Sequence, residues 1–293
     1  MSQPINTLTK ETILVYFLKA YLRKRPLFLS LIRAKEAQLF QKYLPFKHPV
    51  LDIGCGDGMF AKVTFSKCHP ELVSGSQSDK KEMLKRVQHD RLYGSEIDIG
   101  LDLAGSRINE ARQSGIYKKI IIYDGKEIPF QDNYFSTIIS NSTLEHVSDL
   151  DTVLKEIYRV LKPGGLFITT VMAKPWEENL FGAKILGDLY KKWMGKKQIH
   201  RNLLTKNEWD EAFRKSGFII KKAIGYLTPQ ACQLIDVCHY LSLPSLVTYK
   251  LFGKWVVFPS LFTRLYPTKS LAQVISENVD PDQSGAIFYL LEK

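Results

Sequence analysis

The run Val50-Leu51-Asp52-Ile53-Gly54-Cys55-Gly56-Asp57-Gly58 carries the densest chemistry in the chain. A short apolar strand ends beside an acid, and three glycines then let the backbone turn tightly into a helix and approach a ligand closely. A dinucleotide site needs G-x-G-x-x-G, but these glycines fall as G-x-G-x-G, and Met59 stands where the third should be. A pyrophosphate would also meet Asp52 and Asp57, two carboxylates that repel it. A ligand with a positive centre and no phosphate fits better. S-adenosylmethionine, which carries a sulfonium and an ammonium, is such a ligand.

A second acid sharpens this reading. Nucleoside sites in α/β folds place a carboxylate about 20 residues further on, at the end of the second strand, to accept both ribose hydroxyls. Asp102 lies 44 residues after Gly58, and leaving out the 25 residues 66–90 reduces that spacing to 19. Ser66 to Asp90 is polar, has no apolar period and breaks the local rhythm. Codons for Pro70 to Gly75 can be chosen whose reverse complement encodes Leu84-Lys85-Arg86-Val87-Gln88, so its two ends can be an inverted repeat. The segment resembles short palindromic elements translated inside some bacterial genes. It is expected to be a mobile-element insertion without catalytic role; a partner-binding loop and chance codon agreement are the alternatives. His69 and His89 within it are not expected to bind metal.

The elements that must hold these residues alternate between strand and helix. Strands are expected at Val50–Ile53, Ile97–Leu103, Lys119–Tyr123, Ser136–Ser140 and Leu166–Val171, the last after a Pro163-Gly164-Gly165 turn. Helices are expected from about Gly58, from Arg107 to Gln113 and from Leu150 to Leu161. Such alternation implies right-handed crossovers and a doubly wound, Rossmann-like, mostly parallel sheet covered on both faces. Further on come a helix from Thr205 to Ser216, capped by Thr205 and Gly217, then strands at Phe218–Tyr226 and Ala286–Glu292. Seven strands are expected in all. Residues 1–47 read as a helical cap of two helices split at Pro26, and 48–293 as the main domain. Within that domain, 227–283 form a helical, aromatic and basic insert before the last strand.

In this order and on these elements, five motifs resemble the class I S-adenosylmethionine-dependent methyltransferases, especially the type 11 group. They are Asp52 to Gly58, Gly100-Leu101-Asp102, Asp124-Gly125 with Ile128-Pro129-Phe130, Leu144-Glu145-His146-Val147, and Val160 to Gly165. Together they span about residues 48–172. The resemblance implies that Gly54, Cys55, Gly56 and Gly58 line the methionine part, with Cys55 a small filler and Asp52 near the ammonium. Asp102 would bind the ribose hydroxyls, Leu103 would pack on adenine, Asp124 would accept from the adenine amino group, and the Gly125 N–H would face a ring nitrogen. Asn141 and Ser142 would sit where the fourth strand meets cofactor and substrate. His146 is the candidate base and Glu145 a local cap or orienting acid. The family usually has an acid where this chain has Ser136. Methyl transfer would proceed by in-line attack on the sulfonium methyl, mainly through proximity and alignment. Trp176, Tyr190, Trp193 and His200 are the candidate substrate lid, and Trp209 is expected in the core.

Composition bounds the rest. The 293 residues carry a net charge of +11, but residues 48–172 carry −2, so the excess belongs to 1–47 (+7) and 173–270 (+9). The core's sign suits a cationic cofactor. The basic flanks interleave aromatics with Lys and Arg, as in Tyr249, Lys250, Lys254 and Trp255. They read as a cap over the substrate, with possible membrane-surface contact through 1–47 and 227–270. The expected acceptor is a small molecule that is apolar, lipidic or glycan-linked. An RNA methyltransferase and an inactive methyltransferase-like binding protein are the alternatives. No metal site is expected, because Cys55, Cys68, Cys232 and Cys238 lack ligand spacing. With no secretory leader and no membrane-spanning stretch in the sequence, a cytoplasmic protein, peripheral at most on the inner membrane face, is expected.

Overall fold

The computed structural model of the protein describes residues 10–66 and 96–293. The proposed insertion, with Cys68, His69 and His89, lies outside the described residues apart from Ser66, which caps the helix before it. Strand β1 (Val50–Ile53) is buried at every position, as an apolar run in a sheet covered on both faces must be. Around it lie β2 (Ile97–Leu103), β3 (Tyr117–Tyr123), β4 (Phe135–Asn141) and β5 (Leu161–Met172), all parallel to one another. Strands β6 (Ile219–Tyr226), β7 (Asn278–Val279) and β8 (Ala286–Glu292) complete the order β3-β2-β1-β4-β5-β8-β6-β7. β8 runs antiparallel between β5 and β6.

The described residues therefore give eight strands where seven were expected. The addition is β7, two residues that pair with Gly225 and Tyr226 at the sheet edge. So short a segment has no alternation for a sequence pattern to register. β5 also starts five residues earlier than expected. Pro163-Gly164-Gly165 is not a turn before the strand but a bulge within it. Phe135 pairs with Leu161, Thr137 with Leu166, and Gly164 absorbs the extra length at φ +70°.

Among the described residues, α1 (Lys10–Leu22), α2 (Leu27–Phe40), α3 (Met59–Phe65), α4 (Ile108–Ser114) and α5 (Leu150–Val160) come before β5. Helices α6 (Pro175–Asn179), α7 (Phe181–Leu186), α8 (Asp188–Gln198) and α9 (Lys206–Lys215) lie between β5 and β6. Helices α10 (Pro229–Leu241), α11 (Leu243–Phe252), α12 (Pro259–Leu265) and α13 (Thr268–Ser276) lie between β6 and β7. α9 begins with a reciprocal cap, Thr205 accepting from the Glu208 N–H and Glu208 from that of Thr205. Ser216 is its C-cap, and Gly217 follows in the left-handed conformation.

Strand alternation sorts the core into two layers. Val50, Ile139, Ile168 and Phe288 pack with α1, α2, α3 and α10, whereas Leu51, Ile138, Phe167 and Ile287 pack with α5 and α9. Leu14, Phe17, Leu18, Leu31 and Phe40 are fully buried, and each such side chain contributes about 1.5–3 kcal/mol. The first two helices thus spend their apolar faces on the core. Apart from Pro45, the exposed residues between Glu11 and His48 are polar, so this pair offers no apolar face to a membrane. Among the described residues, no helix is long and apolar enough to cross a membrane.

Candidate functional site

The strand order reverses between β1 and β4, so the loops after β1, β2 and β4 splay apart and leave a crevice above the sheet. The glycine run occupies that crevice. Gly54, Gly56 and Gly58 have φ of +75°, +56° and +71°, a region that side chains disfavour. The Gly54 and Cys55 N–H groups donate to the Leu101 carbonyl at 2.8 and 3.2 Å, which staples the loop to β2. A side chain at Gly54 would collide with Thr143, whereas one at Gly56 would project into open space. The loop backbone is therefore bare toward the crevice.

A cavity of about 450 Å3 opens there. Its walls are Asp52 and Gly54 to Asp57, Met59 and Phe60 of α3, Gly105 to Arg107, Asn141, and Tyr21, Arg25, Leu29 and Arg33 of the N-terminal pair. Burial pushes the Asp52 carboxyl up to about 7, although the Tyr117 hydroxyl donates to it at 2.7 Å and opposes the shift. Burial alone would raise Asp57 too, but Arg25, in direct contact, and Arg107, at 3.2 Å, hold it below the usual carboxylate range. The negative charge expected of this turn is thus largely answered by arginines.

Asp102, the last residue but one of β2, accepts from the Gly56 N–H at 2.5 Å and from the Leu103 N–H at 2.7 Å. Leu103 is exposed, and a Cβ on Gly125 (φ +84°) would lie 2.9 Å from its Cδ2. Asp124 is exposed and accepts from the Lys126 and Glu127 N–H groups at 2.8 and 3.0 Å, which lower its pKa. Cys55 is buried, and burial pushes its thiol up, away from thiolate chemistry.

At the end of β4 the structure adds residues the sequence reading missed. Glu36 of α2, fully buried, accepts from Ser142 Oγ at 2.7 Å, Asn141 Nδ2 at 3.2 Å, Tyr226 OH at 3.0 Å and Arg33 at 2.6 Å. Arg25, Arg33 and Glu36 all belong to the segment read only as a generic cap. A signal was present: Glu11 and Glu36 are the only acids in residues 1–47, and Glu36 sits amid an apolar helical pattern.

Glu145 and His146 are placed together but not on the cavity wall. Glu145 is fully buried, neither carboxylate oxygen has a hydrogen-bond partner among the described residues, and burial, with Glu36 nearby, raises its carboxyl to about 8. Its backbone carbonyl accepts from the Arg201 and Asn202 N–H groups. His146 is exposed, with Nδ1 at 3.1 Å from the Ile199 carbonyl, and Asn202 Nδ2 donates to the Leu144 and Val147 carbonyls. The Leu144-to-Val147 motif therefore clamps the α8–α9 connection. Among the lid residues, Trp176 and Tyr190 are buried, Tyr190 donates to Asp236 at 2.5 Å, Trp193 is exposed, and His200 lines a separate cavity of about 280 Å3. Trp209 is fully buried and donates to the Met172 carbonyl at 3.1 Å. Ser136 donates to the His48 carbonyl at 2.7 Å and serves the chain entry into β1. Among the described residues, no group of three or more His, Cys, Asp or Glu is arranged to hold a metal ion.

Residues 92–169, which include β2 to β4 and most of β5, match a family model described as a methyltransferase domain. A malonyl-[acyl-carrier protein] O-methyltransferase from Yersinia pestis is 31% identical over 137 residues, 47% of this chain and 40% of that one. A ubiquinone/menaquinone biosynthesis C-methyltransferase from Burkholderia multivorans is 30% identical over 155 residues, 51% of this chain and 54% of that one. The chain thus spans about half the length of the curated relatives it matches. An S-adenosylmethionine-dependent methyltransferase from Thermotoga maritima shares the fold at TM-score 0.52 and 19% identity, covering 89% of each chain. A [4+2]-cyclase shares it at TM-score 0.51 and 17% identity, over 89% of this chain and 80% of that one. Residues 92–169 thus resemble a methyltransferase domain, and the chain as a whole shares the fold of class I S-adenosylmethionine-dependent methyltransferases.

Proposed function

We propose that the protein transfers a methyl group from S-adenosylmethionine to a small-molecule acceptor of apolar, lipidic or glycan-linked character. The observation that carries this reading is the acid-and-glycine crevice at the β1/β4 switch point, in a chain whose residues 92–169 match a methyltransferase domain. The donor set fits the cofactor. Bare loop backbone at Gly56 leaves room for it, Asp52 supplies a buried carboxylate for its ammonium, and Asp102 stands near the end of β2 beside the loop. Leu103 and Gly125 would flank the adenine, with Asp124 accepting from its amino group. Arg25 and Arg33 would offer guanidinium groups to the carboxylate of the methionine part.

Bound in this crevice, S-adenosylmethionine would supply an electrophilic methyl group for in-line attack by the acceptor. Asn141 and Ser142, fixed by Glu36, would position the acceptor at the end of β4. Among the described residues that line the cavity there is no histidine, and the carboxylates are Asp52 and Asp57. Such walls suit an acceptor that loses its proton readily, and Glu145 and His146 would act through the loop they hold. The test is calorimetric titration with S-adenosylmethionine, followed by transfer of a labelled methyl group into polar and apolar acceptor pools. Saturable binding with label in the apolar pool is expected. Absence of binding would overturn the assignment.

A further inference from the structure

A second cavity, of about 560 Å3, adjoins the first through Arg25, Asp57, Met59 and Arg107, which line both. Its remaining wall carries four cations, Arg23 and Lys24 from the α1–α2 hinge, Lys62 of α3 and Lys254 from the α11–α12 connection, against one further acid, Glu110, which lies 3.7 Å from Arg107. Among the described residues these four cations have no carboxylate partner, and each is exposed. Unpaired cations converging on one groove attract an anion strongly.

The rim of the same groove is apolar. Phe252, Val257, Phe258 and Leu261 are 64%, 38%, 70% and 67% exposed, and they flank Lys254 from the end of α11 to the first turn of α12. Its shape is fixed. Trp255 stacks on Tyr249 at 4.3 Å, its carbonyl accepts from Thr248 Oγ1 at 3.0 Å, and Val256 is buried. The 40 residues 237–276 contain no Asp or Glu, against Lys250, Lys254, Arg264 and Lys269. A soluble anion would need the cations alone. Large exposed side chains around the cations match a surface that is anionic at its headgroups and apolar just beneath them.

We infer that the groove and its rim dock on an anionic lipid bilayer, with a phosphate-bearing headgroup among Arg23, Lys24, Lys62 and Lys254 and the side chains of Phe252 and Phe258 among the acyl chains. The headgroup then lies beside the methyl-transfer crevice, so the acceptor class would be an anionic lipid. Only that last step rests on the methyltransferase reading.

The test is flotation with phosphatidylglycerol–phosphatidylcholine vesicles at low salt, with cofactor titration run in parallel on the same variants. Binding to the anionic vesicles and not to pure phosphatidylcholine is expected. Each basic side chain at an anionic surface strengthens partitioning about fivefold, so R23E/K24E/K254E, which reverses three charges, should lose at least about a hundredfold. F252S/F258S, unchanged in charge, should lose about a hundredfold. Unaltered cofactor binding by both variants shows that they are folded, and it reads the crevice separately from the groove. The proposal is overturned by absence of flotation, by equal flotation on neutral vesicles, or by undiminished flotation of the charge-reversed variant while inorganic pyrophosphate binding is lost. A dimer in sedimentation equilibrium that F252S/F258S abolishes would assign the rim to a second copy and overturn it as well.

Discussion

Ser142 donates its hydroxyl to Glu36 across 2.7 Å, and this bond joins the second helix of the chain to the tip of its fourth strand. The same carboxylate receives Asn141, Tyr226 and the Arg33 guanidinium. Glu36→Ala would leave Arg33 without its anion and three donors without an acceptor. A loss of about 3 kcal/mol in urea unfolding is expected, together with weaker cofactor binding. Glu36→Gln, which still accepts from Ser142 and Tyr226, should fall between the variant and the native chain.

Asp52 makes cofactor binding depend on pH. Its carboxyl, raised to about 7 by burial, is mostly protonated at pH 6, and a cationic ligand favours the ionised form. Binding therefore releases a proton below pH 7. Affinity measured by titration calorimetry should strengthen up to about tenfold per pH unit between pH 5.5 and 7, then level off. Asp52→Asn should bind more weakly and lose this slope. A slope that persists in the variant would remove Asp52 from the ammonium site.

Asp102→Asn keeps one oxygen for the Gly56 N–H and gives up the charge offered to the ribose. Hydrogen bonds to charged groups contribute about 1.5–3 kcal/mol, so affinity for S-adenosylmethionine should fall about ten- to a hundredfold. Thermal unfolding without cofactor should be nearly unchanged. A variant that binds as tightly as the native chain would exclude Asp102 from the nucleoside site.

Glu145 acts on stability. Burial raises its carboxyl from the ordinary 4.5 to about 8, so the protonated form is the one the fold favours. The unfolded chain ionises this group near pH 4.5. The stabilisation is therefore complete below that pH and is lost as pH rises to about 8. Glu145→Gln should be close to the native protein near pH 5 and gain on it by about 4 kcal/mol between pH 5 and pH 9 in urea unfolding. Equal stability at both pH values would mean that the carboxyl reaches water or a partner.

The parallel half of the sheet is legible because each strand is an apolar run bounded by glycine, proline or polar residues, and β8 matches its expected limits of Ala286 and Glu292. The glycine loop is legible because only glycine occupies its φ values without strain. What escapes is whatever depends on partners far away in the chain. Asp57 reads as a negative charge until Arg25 and Arg107 stand beside it. Glu36 stands out in the sequence only by its apolar neighbours, and its role depends on Ser142 and Tyr226, over 100 residues away. Pro163-Gly164-Gly165 reads as a turn because local propensity cannot see β4, against which the segment bulges. Phe252 and Phe258 read as core residues or as membrane contacts, and only their exposure tells the two apart.

The antiparallel position of β8 sets an order of assembly. Among the described residues, β6 touches the parallel half of the sheet only through β8, and β7 only through β6. As the chain leaves the ribosome, β1 to β5 can pair in sequence, but β6 must wait until residues 286–292 emerge. During that wait the edge of β5 is open, with Phe167 and Ile168 beside unpaired backbone groups. The risk of mispairing during synthesis therefore falls on β5 and on the waiting β6, and it ends when β8 arrives.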